Sequence, residues 1–150
     1  MDIFDKYDLP ALRHRKVLKA GSDPFGVRMS EIYSPTEAKV NGRRTILVGT
    51  NNYLGLTFDP DCRNAAIDAI RRQGTGTTGS RIANGTYDGH IALERALCAF
   101  LGRRSAMVFP TGFQANLGML AGLAGPHDVI LVDADSHASI YDGCRLSGAT

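Results

Sequence analysis

From Ser105 onward, short unbroken apolar runs alternate with longer segments that carry small and apolar residues at helical spacing. "SAMVFP" reads as a short buried strand. "DVILVD" reads as a second, and its nearly continuous apolar run predicts burial on both faces. Between them, Thr111 caps a helix expected to run roughly from Gly112 to Leu123. The order is β-α-β, which predicts two parallel strands joined by a right-handed crossover. Ser136 then opens a further helix through "HASIYDGCRL". The last residues, "LSGAT", stand where a third strand is expected, so the sequence reads as the front part of a longer protein.

The earlier half has a different texture. Residues 2–20 are charge-rich, with Ile3, Leu9, Leu12, Val17 and Leu18 loosely spaced, and predict a helix or arm whose start Pro10 limits. "GSDPFG" and "YSPTEA" read as loops. Asn41-Gly42 between "EAKV" and "RRTILVG" is a strong hairpin signal and predicts two small strands. Asp59 followed by Pro60 starts a helix with Cys62, Ala66, Ala69 and Ile70 on one face, ending at Gln73 before Gly74. Helical spacing resumes at Ile91 and stops at Gly102.

Between those two helices lies Gly74-Thr-Gly-Thr-Thr-Gly79, which fits the dinucleotide-binding pattern G-x-G-x-x-G. That pattern carries its meaning only after a strand and before a helix, where the glycines bring backbone against a pyrophosphate. Here the glycines follow a helix and lead into "SRIANGTYDG", which has no helical period. The match reads as a loop between helices and does not support NAD binding.

Composition narrows the classes. Hydrophobic residues at 43% and charged residues at 21% fit a globular chain with a core. A net charge of +2 with scattered basic residues argues against a nucleic-acid groove. Cys62, Cys98 and Cys144 are odd in number and far apart, which fits neither a disulfide framework nor a zinc site and points to a reducing, cytoplasmic setting. No stretch reaches the length of a membrane span, and "MDIFDKYDLP" lacks the apolar core of a signal peptide.

Ligands of open α/β sheets collect at the carboxyl ends of parallel strands. Two such ends are readable. In "FPTGFQAN" a strand end meets a helix start, where unpaired N–H groups suit an anion and Gly112 permits close approach; a capped helix without a ligand is the equally weighted alternative. In "VDADSHASIYDGC" His137 stands just past a strand on the same edge, suited to stacking on a ring, to acid–base work or to binding a metal, with a polar loop residue near a helix start as the favoured reading from position alone. Asp133 and Asp135 read as turn and cap residues, and no metal site is expected. Arg81, in a loop with few other charges, binds an anion or pairs with a surface acid, the latter being the safer reading.

Taken in order, "TNNYLGL", "GTGTTGSRIANGT", "LCAFLG", "MVFPTGFQANLG" and "VDADSHASIYDGC" resemble the α-oxoamine synthases over roughly residues 20 to 150. The resemblance implies fold-type I architecture: an α/β protein with a mostly parallel sheet flanked by helices, preceded by an N-terminal helix and β-hairpin. It implies residues 1–45 as an arm and hairpin and 46–150 as the first part of the large domain. It implies pyridoxal 5′-phosphate (PLP) as cofactor, decarboxylative condensation of an amino acid with an acyl thioester, and a homodimer. "DPFGVRMSEIYSPTEAKVNGRRTILVGT" and "DADSHASIYDGC" look most like the bacterial serine palmitoyltransferase branch. That branch implies L-serine and an acyl-CoA or acyl carrier protein as substrates, a 3-oxosphinganine-type product and at most a peripheral membrane contact. Glycine C-acetyltransferase, aminolevulinate synthase and amino-oxononanoate synthase are the near alternatives, and a non-catalytic partner subunit is a further one.

Carried over residue by residue, Gly112 and Phe113 match the turn that holds the cofactor phosphate, and His137 the histidine that stacks on the pyridine ring. Asn52 and Ser80 match segments that reach the neighbouring subunit's site. The family's Schiff-base lysine lies well downstream. Lys6, Lys16, Lys19 and Lys39 all precede the β-α-β unit, so the chain alone is expected to be inactive.

Overall fold

The computed structural model describes residues 2–21, 23 and 25–150. The chain forms two compact units, Met1–Gly76 and Thr77–Thr150.

The first unit opens with a 3-10 turn, Asp5–Tyr7, and helix α1, Asp8–Lys19. Pro10 is its third residue, where the missing N–H has no helical partner to lose. Three strands follow, β1 (Met29–Ser34), β2 (Glu37–Val40) and β3 (Arg43–Ile46), paired antiparallel in that order. The β2–β3 turn has Asn41 at φ 48° and Gly42 at φ 82°. Two successive positive φ values define the type I′ turn whose twist matches a hairpin, so Asn-Gly gives the predicted connection. β1 departs from the sequence reading. "YSPTEA" is not a loop throughout: Tyr33 and Ser34 close β1, Glu37 and Ala38 open β2, and only Pro35 and Thr36 turn. Register shifts between Met29 and Glu31 and between Ile32 and Ser34 break the alternation that would have marked the strand.

Helix α2, Pro60–Gln73, starts and stops as the sequence predicts. The Asp59 carboxylate accepts the N–H groups of Asp61 and Cys62, each at 3.0 Å, and Gly74 ends the helix at φ 81°. On the face shared by Cys62, Ala66, Ala69 and Ile70 only Ala69 is half-buried; the other three are exposed.

In the second unit an irregular loop leads to helix α3 (Asp88–Leu101), followed by α4 (Gly112–Leu123) and α5 (Ala138–Ser147). No helix opens directly behind the G-x-G-x-x-G glycines, so the geometry of a dinucleotide fold is missing there. Instead the loop closes on itself. The N–H of Gly85 donates to the Ser80 carbonyl at 2.8 Å, and a Cβ on Gly85 would run into the Gly79 carbonyl.

The two anticipated strands are corrected in their pairing. Among the described residues no backbone hydrogen bond joins 105–110 to 128–133. The backbone of Val108 is satisfied by side chains: its N–H donates to Glu94 at 3.0 Å and its carbonyl accepts from Arg81 at 3.4 Å. The second segment bonds elsewhere. Thr150 N–H donates to the Asp128 carbonyl at 3.1 Å and Ile130 N–H to the Thr150 carbonyl at 2.9 Å. Those two bonds bracket Val129 as a parallel bridge does, so a parallel pairing exists, with α5 and not α4 as its crossover. Burial on both faces also fails. Val129 and Leu131 are 70% and 94% exposed, whereas Ile130 and Val132 are half-buried, an alternation that covers one face only.

Helices α4 and α5 pack against each other. Gly143 makes their approach possible: a Cβ there would lie 2.8 Å from Leu120 Cδ1 and 3.2 Å from the Asn116 carbonyl.

Candidate functional site

Thr111 sits in extended backbone before α4, and its Oγ1 accepts the Gln114 N–H at 3.1 Å. The Thr111 carbonyl takes the Ala115 N–H at 3.0 Å, the first helical bond. Gly112 and Phe113 therefore present N–H groups with no acceptor among the described residues, at the positive end of the helix. Nothing lies within 4 Å of where a Gly112 Cβ would stand, so the approach to these donors is open.

The second helix start converges on the first. His137, and not Ser136, is the N-cap of α5. Its Nδ1 accepts the Ser139 N–H at 3.2 Å and lies 2.7 Å from Ser139 Oγ. The helix expected to open at Ser136 therefore begins two residues later, at Ala138. The turn before it is held by Asp133, whose carboxylate takes the Asp135 N–H at 2.8 Å, and by Tyr141, whose hydroxyl donates to the Ala134 carbonyl at 2.6 Å. Asp133 thus serves the turn, while the helix cap expected of these acids is supplied by His137.

The His137 and Phe113 rings meet edge to face, with centroids 6.4 Å apart and planes at 80°. A solvent-accessible imidazole and two free backbone donors consequently share one corner of the unit. This corner can hold an anionic group on the amides and a flat or acidic group beside the ring.

Ser80 is placed differently. It lines a cavity of about 310 Å³ with Arg81, His90, Val108, Phe109 and Pro110, on the segment that runs into the Thr111 turn. The Arg81 guanidinium is committed within the unit. It pairs with Glu94 at 2.9 Å and donates to Thr86 Oγ1 at 3.1 Å, which is the ion-pair alternative of the sequence reading. The bonds from Arg81 and then from the Val108 N–H hold the Glu94 carboxyl below the usual carboxylate range. Asn52 belongs to the first unit, where its amide donates to Thr57 Oγ1 at 2.9 Å and to the Pro35 carbonyl at 3.4 Å.

Three residues of the site escape the sequence reading. Asn116 donates to Ser139 Oγ at 2.9 Å, linking α4 to the His137 cap, and Glu94 ties α3 to the strand-like segment before the turn. The signals for the first pair were faint: a polar residue one turn after Gly112, and a serine two after a helix-capping histidine.

Residues 43–150 match the family described as aminotransferase class I and II. Over 149 residues the chain is 54% identical to the serine palmitoyltransferase of Caulobacter vibrioides, covering 99% of this chain and 37% of that protein. The solved serine palmitoyltransferase of Sphingomonas wittichii aligns at a TM-score of 0.94 and 53% identity, over 99% of this chain and 38% of that one. A serine palmitoyltransferase from Sphingomonas paucimobilis, solved with a bound PLP–myriocin aldimine, gives a TM-score of 0.94 at 47% identity and the same coverage. This chain spans a little over a third of the length of these relatives, 37% of the first.

Proposed function

Because this chain belongs to the class I and II aminotransferase family and has the fold of a fold-type I transferase segment, we propose that it is the amino-terminal part of a PLP-dependent acyltransferase of serine palmitoyltransferase type. The complete enzyme condenses L-serine with a long-chain acyl thioester, releases carbon dioxide and forms a 3-oxosphinganine-type product. The observation that carries this reading is the corner at which Phe113 and His137 meet beside two unsatisfied amides.

The donor set fits the cofactor. The Gly112 and Phe113 N–H groups take its phosphate, whose charge the α4 dipole favours. His137 would lie against its ring, with Nε2 available as a donor to the substrate carboxylate. The Phe113 ring meets the imidazole edge to face and would help set its orientation. When bound, the cofactor supplies the electron sink for a carbanion at the amino-acid α-carbon. Lys6, Lys16, Lys19 and Lys39 all lie in the first unit, so covalent attachment is assigned to a lysine of the longer protein.

Asn52 and Ser80 are assigned to the partner's site in a homodimer, and residues 1–45 and 46–150 to the arm and the large domain. The cytoplasm is the proposed compartment; the three cysteines are unpaired. Among the described residues no helix is long and apolar enough to cross a membrane.

The test is direct. Full-length protein supplied with PLP, L-serine and palmitoyl-CoA should release carbon dioxide and a long-chain 3-ketone, with palmitoyl-CoA preferred over acetyl-CoA. Parallel titration of the cofactor-free protein should show saturable binding of PLP and none of NAD. A preference for glycine with acetyl-CoA would move the enzyme to another branch of the family, and absence of PLP binding would end the proposal.

A further inference from the structure

Three hydrogen bonds around His137 share one polarity when Nδ1 accepts, the N–H and the hydroxyl of Ser139 sharing its single lone pair. The backbone N–H of Ser139 can only donate, so Nδ1, 3.2 Å away, carries a lone pair and no proton. Ser139 Oγ, 2.7 Å from the same nitrogen, must then give it its hydrogen. The hydroxyl can still accept, and the Asn116 amide donates to it at 2.9 Å. Ser139 is fully buried, so water cannot replace either partner. Asn116 stands one turn beyond Gly112 on α4, whose packing on α5 fixes the length of the relay.

We propose that Asn116 and Ser139 are positioning residues for His137: the Ser139 N–H and hydroxyl hold the ring as its Nε2–H tautomer, and Asn116, by directing that hydroxyl, fixes the direction of the ring. With Nδ1 engaged from below, the ring's proton sits on Nε2, on the accessible side, where it serves as a donor to an anionic oxygen such as a carboxylate. The relay also joins the two helix starts, so the amides of Gly112 and Phe113 and the Nε2 donor are held as one constellation. The identity of the oxygen that Nε2 meets rests on the function proposed above; the relay itself does not.

The experiment uses full-length protein with ¹⁵N-labelled histidine, the His137 signal being assigned by its loss in a His137→Asn variant. In cofactor-free wild type, long-range ¹H–¹⁵N spectra should show the Nε2–H tautomer. Asn116→Asp is close to isosteric but can only accept. It would draw the Ser139 hydrogen toward itself and away from Nδ1, leaving the Ser139 N–H as the one donor there and shifting the Nδ1 resonance, a change that a purely space-filling role would not produce. Ser139→Ala cuts the relay and should broaden or split the His137 signal. In the PLP-loaded enzyme both variants should raise the L-serine dissociation constant on the order of tenfold.

An Nδ1–H tautomer in wild type, or an Asn116→Asp spectrum unchanged from wild type, would overturn the proposal. Should Asn116→Asp fail to fold, the wild-type spectrum and Ser139→Ala decide it alone. The expected tautomer in a protein that binds no PLP would overturn the functional reading and leave the relay standing. Full catalysis with the opposite tautomer would do the reverse.

Discussion

At His137 the two ring nitrogens meet different surroundings, one tied into buried hydrogen bonds and one open. That asymmetry argues for binding through Nε2. In the complete enzyme, His137→Ala should weaken L-serine binding on the order of 10- to 100-fold, the range of a lost hydrogen bond to a charged group, with more side reaction. Steady-state kinetics and product analysis check this; unchanged constants would remove His137 from the site. Glu94 gives a pH prediction. Its carboxyl is held low by Arg81 and the Val108 N–H, so its stabilising effect is complete above the ordinary glutamate range and is lost as pH falls through the depressed value. Denaturation of full-length wild type and Glu94→Gln should therefore differ most near neutrality and converge in acid. The positions of His137 and Phe113, past a strand and at a helix start, were legible in the sequence; the roles proposed for them came from the family resemblance. Asn116, Ser139 and Glu94 were not, because each acquires its role from a residue on another element.

Elements bounded by local chemistry were readable, and those bounded by distant partners were not. Asp59-Pro60, Thr111 and Asn41-Gly42 act on their own few residues, and α2, α4 and the hairpin lie where they point. Thr111→Ala should lower stability by about 1 kcal/mol, the usual worth of an N-cap side chain. It should also loosen PLP binding by freeing the turn that presents Gly112 and Phe113, as calorimetry and cofactor titration on the full-length enzyme would show. Gly42→Ala places a Cβ at φ 82° and should cost about 1 kcal/mol or more, read as a lower melting temperature. By contrast, the strand partners of 105–110 and 128–133 lie far off in sequence. A β-α-β reading assumed neighbours, whereas the bonds observed run from 128–130 to Thr150.

For the molecule as a whole, surface area is the telling quantity. A folded chain of 150 residues exposes roughly 7,400 Å². This one exposes 12559 Å², and among the described residues Ala38 is the one buried hydrophobic side chain. Met107, Val129 and Leu131 present apolar surface that a helix or sheet neighbour would normally cover. Expressed as these 150 residues alone, the chain should melt without a sharp transition and bind hydrophobic dyes, while the full-length enzyme should unfold cooperatively. With PLP, the isolated chain should give no borohydride-stable adduct on any of its four lysines.

The hydrogen atom that Gly143 carries in place of a side chain has a consequence beyond packing. It acts as a spacer of minimum thickness between α4 and α5, so any added carbon there presses on Leu120 and the Asn116 carbonyl and pries the imidazole away from the Gly112 and Phe113 amides. If the corner serves as proposed, laboratory evolution toward bulkier amino-acid substrates should accumulate changes at this position, six residues along the chain from His137.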